Sequence, residues 1–163
     1  MRVGFLASTY GKPLYAFWIL ITLFVCGCAT THPDIHPVSG FGDIAWQAPL
    51  SGVKDLSLLP KGGGQWKWAV RDKDPLMVGQ VPVDKIEYIF IDDAFAGVDV
   101  DFSGYKNLSL LIRDLKDAFG VPTINNSSIK MMVWKPEGTT VMLRYYSKLN
   151  SGEMKYILDN VIK

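Results

Sequence analysis

Histidine and cysteine are nearly absent from this chain of 163 residues, which has two of each. The histidines are His32 and His36, and the cysteines are Cys26 and Cys28, so residues 37–163 contain neither type. Nucleophilic catalysis commonly pairs its nucleophile with a histidine base, and a zinc site built on two cysteines needs further ligands. We therefore expect no enzyme activity, no cofactor and no metal site of these kinds, and no disulfide within the folded part.

The chain also lacks a long apolar segment. Its most apolar stretch, Leu14–Val25, has twelve residues, whereas a helix needs about 20 to cross the hydrocarbon core of a bilayer. Arg2 and Lys12 precede this stretch without any acidic residue, and small residues follow it. This order is typical of a secretory signal peptide. We expect residues 1–27 to be a signal peptide, and a retained N-terminal transmembrane anchor is the alternative.

The two cysteines lie at the end of this apolar stretch. The sequence Val25-Cys26-Gly27-Cys28 resembles the lipobox of bacterial lipoproteins, which has an aliphatic, a variable and a small residue before the modified cysteine. The resemblance implies cleavage after Gly27 and a diacylglycerol on the Cys28 sulfur. Because Ala29 rather than Asp follows, it also implies a lipid anchor in the outer membrane of the bacterial cell envelope, facing the periplasm. The alternative is that both cysteines are only small apolar residues of a signal sequence.

The remaining 136 residues have an almost balanced charge. Without Arg2 and Lys12, 15 basic residues stand against 16 acidic ones, a net charge of about −1. No basic face for nucleic acid is implied. Two prolines, two threonines and a glycine within residues 29–40 are typical of a tether. We therefore expect a flexible tether at 28–40 and a single domain at 41–163.

One helix is predicted clearly, over residues 107–119. Apolar residues recur there with helical spacing, which predicts one apolar stripe. Asn107 is the expected N-cap, Gly120 the expected C-cap, and Pro122 prevents continuation.

Several strands are predicted around this helix. Lys85–Phe102 alternates apolar and polar residues about a turn at Asp92-Asp93-Ala94, which favours a hairpin. Further strands are expected at 44–46, 65–71, 76–81, 129–134, 139–146 and 153–158, with a turn at Pro60 and Gly62–Gly64 and a polar loop at 123–128. The predicted fold class is α+β, an antiparallel sheet of about six to seven strands with the helix packed on one face.

Four aspartates close together raise the question of calcium. Asp99 and Asp101 lie on one face of a predicted strand, about 7 Å apart, while Asp92 and Asp93 lie at the turn. Calcium needs six to eight converging oxygen atoms, so a solvated acidic face is the favoured interpretation. A carboxylate-pair hydrolase using Asp99 and Asp101 remains formally open.

An aromatic stripe is predicted on the strand at residues 65–71. Trp66, Trp68 and Val70 share one face of it. Such a stripe is more often sheet core, although it could stack on a sugar or a base.

The segments GDIAW, KIEYIFIDDAFAGVDVDFSGYKNLSLLIRDLKDAFGVP and VWKPEGTTVMLRYYSK resemble a group of uncharacterised bacterial exported lipoproteins. The resemblance implies a fold rather than an activity. Together with the lipobox, it leads us to expect a membrane-anchored envelope lipoprotein that acts as a binding or scaffold module. Its partners would be membrane lipid, through acylated Cys28, and an envelope protein. A small-ligand or calcium-binding module is the alternative.

Overall fold

The computed structural model describes residues 39–161, which contain twelve strands and one α-helix. The strands, in chain order, are β1 (Gly40–Phe41), β2 (Ile44–Ala45), β3 (Leu56–Gly63), β4 (Trp66–Arg71), β5 (Met77–Val78), β6 (Val81–Pro82), β7 (Lys85–Ile91), β8 (Ala94–Ser103), β9 (Ile124–Asn126), β10 (Met131–Trp134), β11 (Thr139–Tyr146) and β12 (Ser151–Leu158). The helix, α1, spans Tyr105–Phe119, and short 3₁₀ turns lie at Leu50–Gly52 and Asp159–Val161.

Eight of these strands form one antiparallel sheet in the order β3-β4-β7-β8-β12-β11-β10-β9. The predicted α+β class with one helix and an antiparallel sheet is confirmed, but the expected six to seven strands were too few. The sheet consists of two four-stranded halves, one before and one after α1. They are joined where β12 pairs with β8, in register from Ser151 opposite Ser103 to Ile157 opposite Gly97. The two remaining strand pairs, β1–β2 and β5–β6, are separate small hairpins.

The helix packs on one face of this sheet through the predicted apolar stripe. Leu108, Leu111 and Leu115 are buried and belong to the same core cluster as the sheet residues. Trp134 on β10 is also buried, and its Nε1 donates a hydrogen bond of 3.0 Å to the Gly120 carbonyl. Gly120 is the C-cap, as predicted. The end of α1 is therefore held by both apolar packing and a side-chain hydrogen bond.

The start of α1 differs from the prediction. The N-cap is Gly104 rather than Asn107, and the helix begins at Tyr105. The Asn107 amide donates instead to the carbonyls of Pro82 (3.2 Å) and Ser103 (3.0 Å). Asn107 thus ties the first turn of the helix to β6, and this tertiary contact outweighs its preference for a capping position.

The predicted hairpin at 85–102 is confirmed, with β7 and β8 on either side of Asp92 and Asp93. Both aspartates have a positive φ (51° and 61°), a conformation that aspartate tolerates better than most residues. Ile86, Tyr88 and Phe90 face the core, as the alternation predicts.

Two predicted connections are strands instead. The expected turn at Pro60 lies inside β3, and the chain turns only at residues 64–65. β3 is an edge strand of the described sheet, where a proline costs no ladder hydrogen bond. The expected loop at 123–128 contains β9, which pairs with β10 although its sequence, Ile-Asn-Asn, has little strand character.

A glycine in β12 creates room for two aromatic rings on the core face. Gly152 is paired with Phe102 on one side and with Tyr145 on the other. Those two rings meet across the glycine, with centroids 6.3 Å apart and an interplanar angle of 20°. A Cβ added at Gly152 would lie 2.3 Å from the Phe102 ring and 2.6 Å from the Arg144 carbonyl oxygen. The stacked pair therefore depends on the absence of a side chain at residue 152.

We expect Gly152→Ala to destabilise the protein by about 1–3 kcal/mol, the usual cost of overpacking a core. The matched control is Gly63→Ala, in another strand, where an added Cβ meets nothing within 4 Å. Thermal unfolding of the full-length protein, followed by near-UV circular dichroism, should show a lower midpoint for Gly152→Ala alone. Equal midpoints for the two variants would contradict this account of the core.

Candidate functional site

A cavity of the described chain lies on the helix-bearing side of the sheet, beneath the β1–β2 hairpin. Its volume is about 320 Å³, near the lower end of the roughly 300–1,000 Å³ typical of small-molecule pockets. The lining comes from both small hairpins, from the end of β4 and the turn after it, and from β7 and β12. The lining residues are Gly40, Phe41, Gly42, Asp43, Arg71, Asp74, Pro75, Met77, Val78, Gly79, Ile86, Tyr88 and Tyr156.

Three aromatic rings from distant parts of the chain form one wall of this cavity. The Phe41 ring meets Tyr88 edge-on, with centroids 6.5 Å apart at 71°, and meets Tyr156 in the same way at 6.3 Å and 72°. Phe41 comes from β1, Tyr88 from β7 and Tyr156 from β12, the last strand. The wall therefore exists only when both halves of the sheet and the first hairpin have assembled.

An ion pair holds the β1–β2 hairpin over the cavity. Two nitrogens of Arg71 donate to the two carboxylate oxygens of Asp43, at 2.6 and 3.0 Å. The hydrogen bond from Arg71 lowers the pKa of Asp43 against an opposing effect of burial, and the same bond raises the pKa of Arg71. Two parallel bonds fix orientation as well as distance, so this pair sets the position of the hairpin turn.

A second polar contact lies beside the aromatic wall. The Tyr88 hydroxyl donates to Asp74 Oδ2 at 2.6 Å. Burial, followed by this hydrogen bond, raises the pKa of Tyr88 well above its ordinary value. The Arg71 guanidinium carbon lies 6.0 Å from the centroid of the Tyr88 ring. The Tyr88 hydroxyl therefore stays protonated at physiological pH, and the Tyr88 ring already has a cation, the Arg71 guanidinium, over it.

Tyr156 is the deepest of the three rings. Burial raises the pKa of its hydroxyl to about 12. The Thr139 hydroxyl lies near enough to oppose this shift in part, but neither buried hydroxyl reaches hydrogen-bonding geometry with a partner among the described residues. Trp46 packs edge-on against Tyr156, with centroids 5.2 Å apart at 82°. The base of the cavity is therefore aromatic and rigidly packed.

The predicted aspartate cluster does not converge on a common point. Asp99 pairs with Lys155 at 3.2 Å and Asp101 with Lys85 at 3.4 Å on the sheet face away from the helix. At the hairpin turn, Asp93 pairs with Lys67 at 2.5 Å. Among residues 39–161, no three or more His, Cys, Asp or Glu side chains are grouped so that they could hold a metal ion. The expected acidic face is instead one of mixed charge, because each of these cross-strand aspartates has a lysine neighbour.

Glu87 forms the buried centre of this mixed-charge face. Its side chain is only 7% exposed and pairs with Lys61 and, at 2.9 Å, with Lys85. Burial pushes the pKa of Glu87 upward, but the hydrogen bonds from the two lysines outweigh it, so the net shift is downward. Burial instead raises the pKa of Asp99 in spite of Lys155. Two carboxylates on one face thus have opposite electrostatic effects on stability.

We expect Glu87→Gln to destabilise the protein by about 1–3 kcal/mol at neutral pH, since it removes hydrogen bonds to charged partners at a buried site. Because its folded-state pKa is depressed, the contribution of Glu87 is present above its ordinary pKa of 4.5 and is lost as the pH falls below that value.

Asp99→Asn is the matched control for that substitution. Its raised pKa means that the charged form is disfavoured in the folded state, so this change should leave stability equal or slightly higher at neutral pH. Thermal melts of the three proteins at pH 7 and pH 4 measure both effects. Equal losses of stability for Glu87→Gln and Asp99→Asn at pH 7 would contradict the opposite effects expected of these two carboxylates.

The predicted tryptophan stripe is a surface feature rather than core. Trp66 and Trp68 stack at 5.7 Å and 22°, as their spacing predicts, but both are half-buried and lie outside the core cluster. The expectation of sheet core was wrong because they share the face of Ile89 and Ile91, away from the helix. Lys61 lies over the Trp68 ring at 5.6 Å.

Sequence reasoning missed the cavity entirely. The sequence places Tyr88 and Tyr156 only in predicted strands and Phe41 only at the start of the domain, and the pairing of Asp43 with Arg71 links positions 28 residues apart. No local motif marks these residues. The signal present in the sequence is the run of charged residues after β4, Asp72, Lys73 and Asp74, which no spacing rule connects to Phe41.

The predicted lipidation site, Cys28, lies outside the described residues, as do the predicted signal peptide and all but the last two residues of the predicted tether. No helix within residues 39–161 combines the length and the apolar character needed to span a membrane. No known protein family, no curated protein and no solved structure matches this chain. The resemblance to exported lipoproteins therefore stays a prediction.

Proposed function

We propose that residues 39–161 are a small-molecule binding module, carried on a bacterial envelope membrane by a lipid on Cys28. The observation that carries the binding function is the aromatic-lined cavity beneath the β1–β2 hairpin. Ligand sites are concave, mostly apolar and equipped with a few placed polar groups. The rings of Phe41, Tyr88 and Tyr156, with the charged groups of Arg71 and Asp74 beside them, have this character.

The β1–β2 hairpin gives the cavity a means of admitting a ligand. It contributes only four strand residues, and its turn is fixed from outside by the bond between Asp43 and Arg71. The Asp43 side chain is 72% exposed, so water can compete for this pair. Opening the hairpin breaks this pair and the edge-on contacts of Phe41 but no strand pairing of the eight-stranded sheet, so it costs less than unfolding the sheet.

The envelope location rests on the N-terminal sequence. A short apolar segment followed by Val25-Cys26-Gly27-Cys28 supports export, cleavage and acylation. Two or more acyl chains give stable attachment, whereas one chain binds only marginally. Under this proposal the module works at the outer membrane, facing the periplasm, and molecules reach the cavity from that compartment.

Occupation of the cavity is tested with the full-length protein in maltoside micelles and three small organic probes. They are choline, 3,3-dimethylbutan-1-ol and 3,3-dimethylbutanoate, which share a branched head of nearly equal size. We expect at least one probe to shift the NMR signals of Phe41, Tyr88 and Tyr156 in a saturable manner.

Met77→Trp should abolish these shifts, because Met77 lines the cavity and an indole in its place fills that space. Leu149→Trp is the control, since Leu149 is exposed and lies outside the lining. If no probe binds the unaltered protein, or if Met77→Trp binds as well as Leu149→Trp, the cavity is not the binding site.

Lipidation is tested by the mass of the protein extracted from membranes. We expect loss of residues 1–27 and addition of a diacylglycerol to Cys28. Cys28→Ala should remain uncleaved, whereas Cys26→Ala should be processed normally, because Cys26 belongs to the removed segment. A Cys28→Ala protein that is still cleaved and still membrane-bound would overturn this part of the proposal.

A further inference from the structure

The charged groups that line the cavity do not balance. They are the carboxylates of Asp43 and Asp74 and the guanidinium of Arg71. The two tyrosines stay neutral at physiological pH, since the pKa of each is raised. Arg71 directs two donors to Asp43, while Asp74 forms no ion pair within residues 39–161. The lining therefore has a net charge of −1, and the charge without a direct partner is the Asp74 carboxylate.

An anionic ligand is disfavoured by this arrangement. To reach the guanidinium of Arg71 it would have to displace Asp43 from a two-point pair. It would then lie close to Asp74, whose charge has no cation paired with it. Two like charges brought together in a partly desolvated site repel strongly.

The three aromatic rings favour a cation instead. The face of an aromatic ring carries partial negative charge and attracts cations within about 6 Å of its centre. Phe41 stands nearly perpendicular to both Tyr88 and Tyr156, so ring faces and edges meet at a corner. Arg71 already lies over the Tyr88 ring at 6.0 Å, and its charge is offset by the two-point pair with Asp43.

The apolar part of the lining selects among cations. Pro75, Val78 and Ile86 have no hydrogen-bond acceptor in their side chains, and the Met77 sulfur is only a weak acceptor. A primary ammonium group held against these four side chains would lose part of its strong hydration. A quaternary or methylated ammonium is weakly hydrated and presents methyl groups, which contact apolar and aromatic surfaces well.

We propose that this cavity is selective for organic cations, and that its ligand carries a quaternary or methylated ammonium group held by Phe41, Tyr88 and Tyr156 near Asp74. This inference rests on the proposed function, because it concerns the same cavity. It specifies the ligand class, which the proposed function leaves open.

The three probes named above separate charge from shape. 3,3-Dimethylbutan-1-ol is choline with carbon in place of the nitrogen, and 3,3-dimethylbutanoate carries a negative charge on a similar frame. We expect choline to bind about 10-fold more tightly than the alcohol, with the carboxylate weakest. If the alcohol binds as tightly as choline, or the carboxylate binds best, cation selection is wrong while the binding function stands. If none binds, both are wrong.

Two conservative variants test which residues cause the selectivity for choline over the alcohol. Phe41→Leu keeps the apolar contact but removes a ring, and Asp74→Asn keeps an acceptor for the Tyr88 hydroxyl but removes the charge. Each should reduce choline affinity by about 3- to 10-fold and leave affinity for the alcohol unchanged, which also shows that the cavity is intact.

The control is Asp117→Asn, which removes the same charge from an exposed position on α1. It should alter none of the affinities. Unchanged choline affinity in both cavity variants, or an equal loss in the control, would overturn the assignment. If a variant fails to fold, the ratio of choline to alcohol affinity in the unaltered protein still decides the question.

Discussion

The pairing of β8 with β12 is the interaction on which the remaining structure depends. Each half of the sheet is a simple succession of neighbouring strands, and among the strand pairings of residues 39–161 this ladder alone connects them. It places Tyr156 of the last strand two positions across the sheet from Tyr88, with Val98 between them. The aromatic wall of the cavity is a direct result of that register, because a one-residue slip would move Tyr156 to the opposite face.

The same ladder explains why two glycines lie in central strands. Gly97 in β8 and Gly152 in β12 are places where an added Cβ would meet the neighbouring strand at 2.6 Å or less. At Gly152 the space is occupied by two aromatic rings from the flanking strands. Close packing of a sheet with large aromatic side chains requires small residues at some positions, and here the position without a side chain is in the strand between the rings.

Periodicity predicted the parts of the fold that repeat locally. The alternation at Ile86, Tyr88 and Phe90 and the apolar stripe of α1 gave the central hairpin and the helix, because each pattern reports a face that must be buried. The sequence patterns gave wrong predictions where the position of a strand in the sheet, or its pairing with a neighbouring strand, decided the structure. Pro60 is accepted in β3 since that strand lies at an edge, and the asparagines of β9 adopt strand geometry since β10 offers them hydrogen-bond partners.

The candidate site lay beyond such reasoning for a related reason. Its walls combine residues from β1, β4, β7 and β12, and none of their spacings in sequence is informative. None of these residues is unusual in the sequence, and they form a recognisable binding site only when the topology brings them together. Of the four aspartates that raised the question of calcium, Asp93, Asp99 and Asp101 each pair with a lysine, so this face has mixed charge rather than an excess of acidic groups.

The position of β12 also has a consequence for the timing of folding. Its partners in β8 are 48 to 60 residues earlier in the chain, from Ser103 with Ser151 to Gly97 with Ile157. Pairing over such separations slows folding, and until β12 is in place, the backbone groups along the facing edges of β8 and β11 have no hydrogen-bond partner. Because β12 lies at the centre of the eight-stranded sheet and follows the other seven strands in sequence, the two halves of the sheet are joined only after all the other strands have been made.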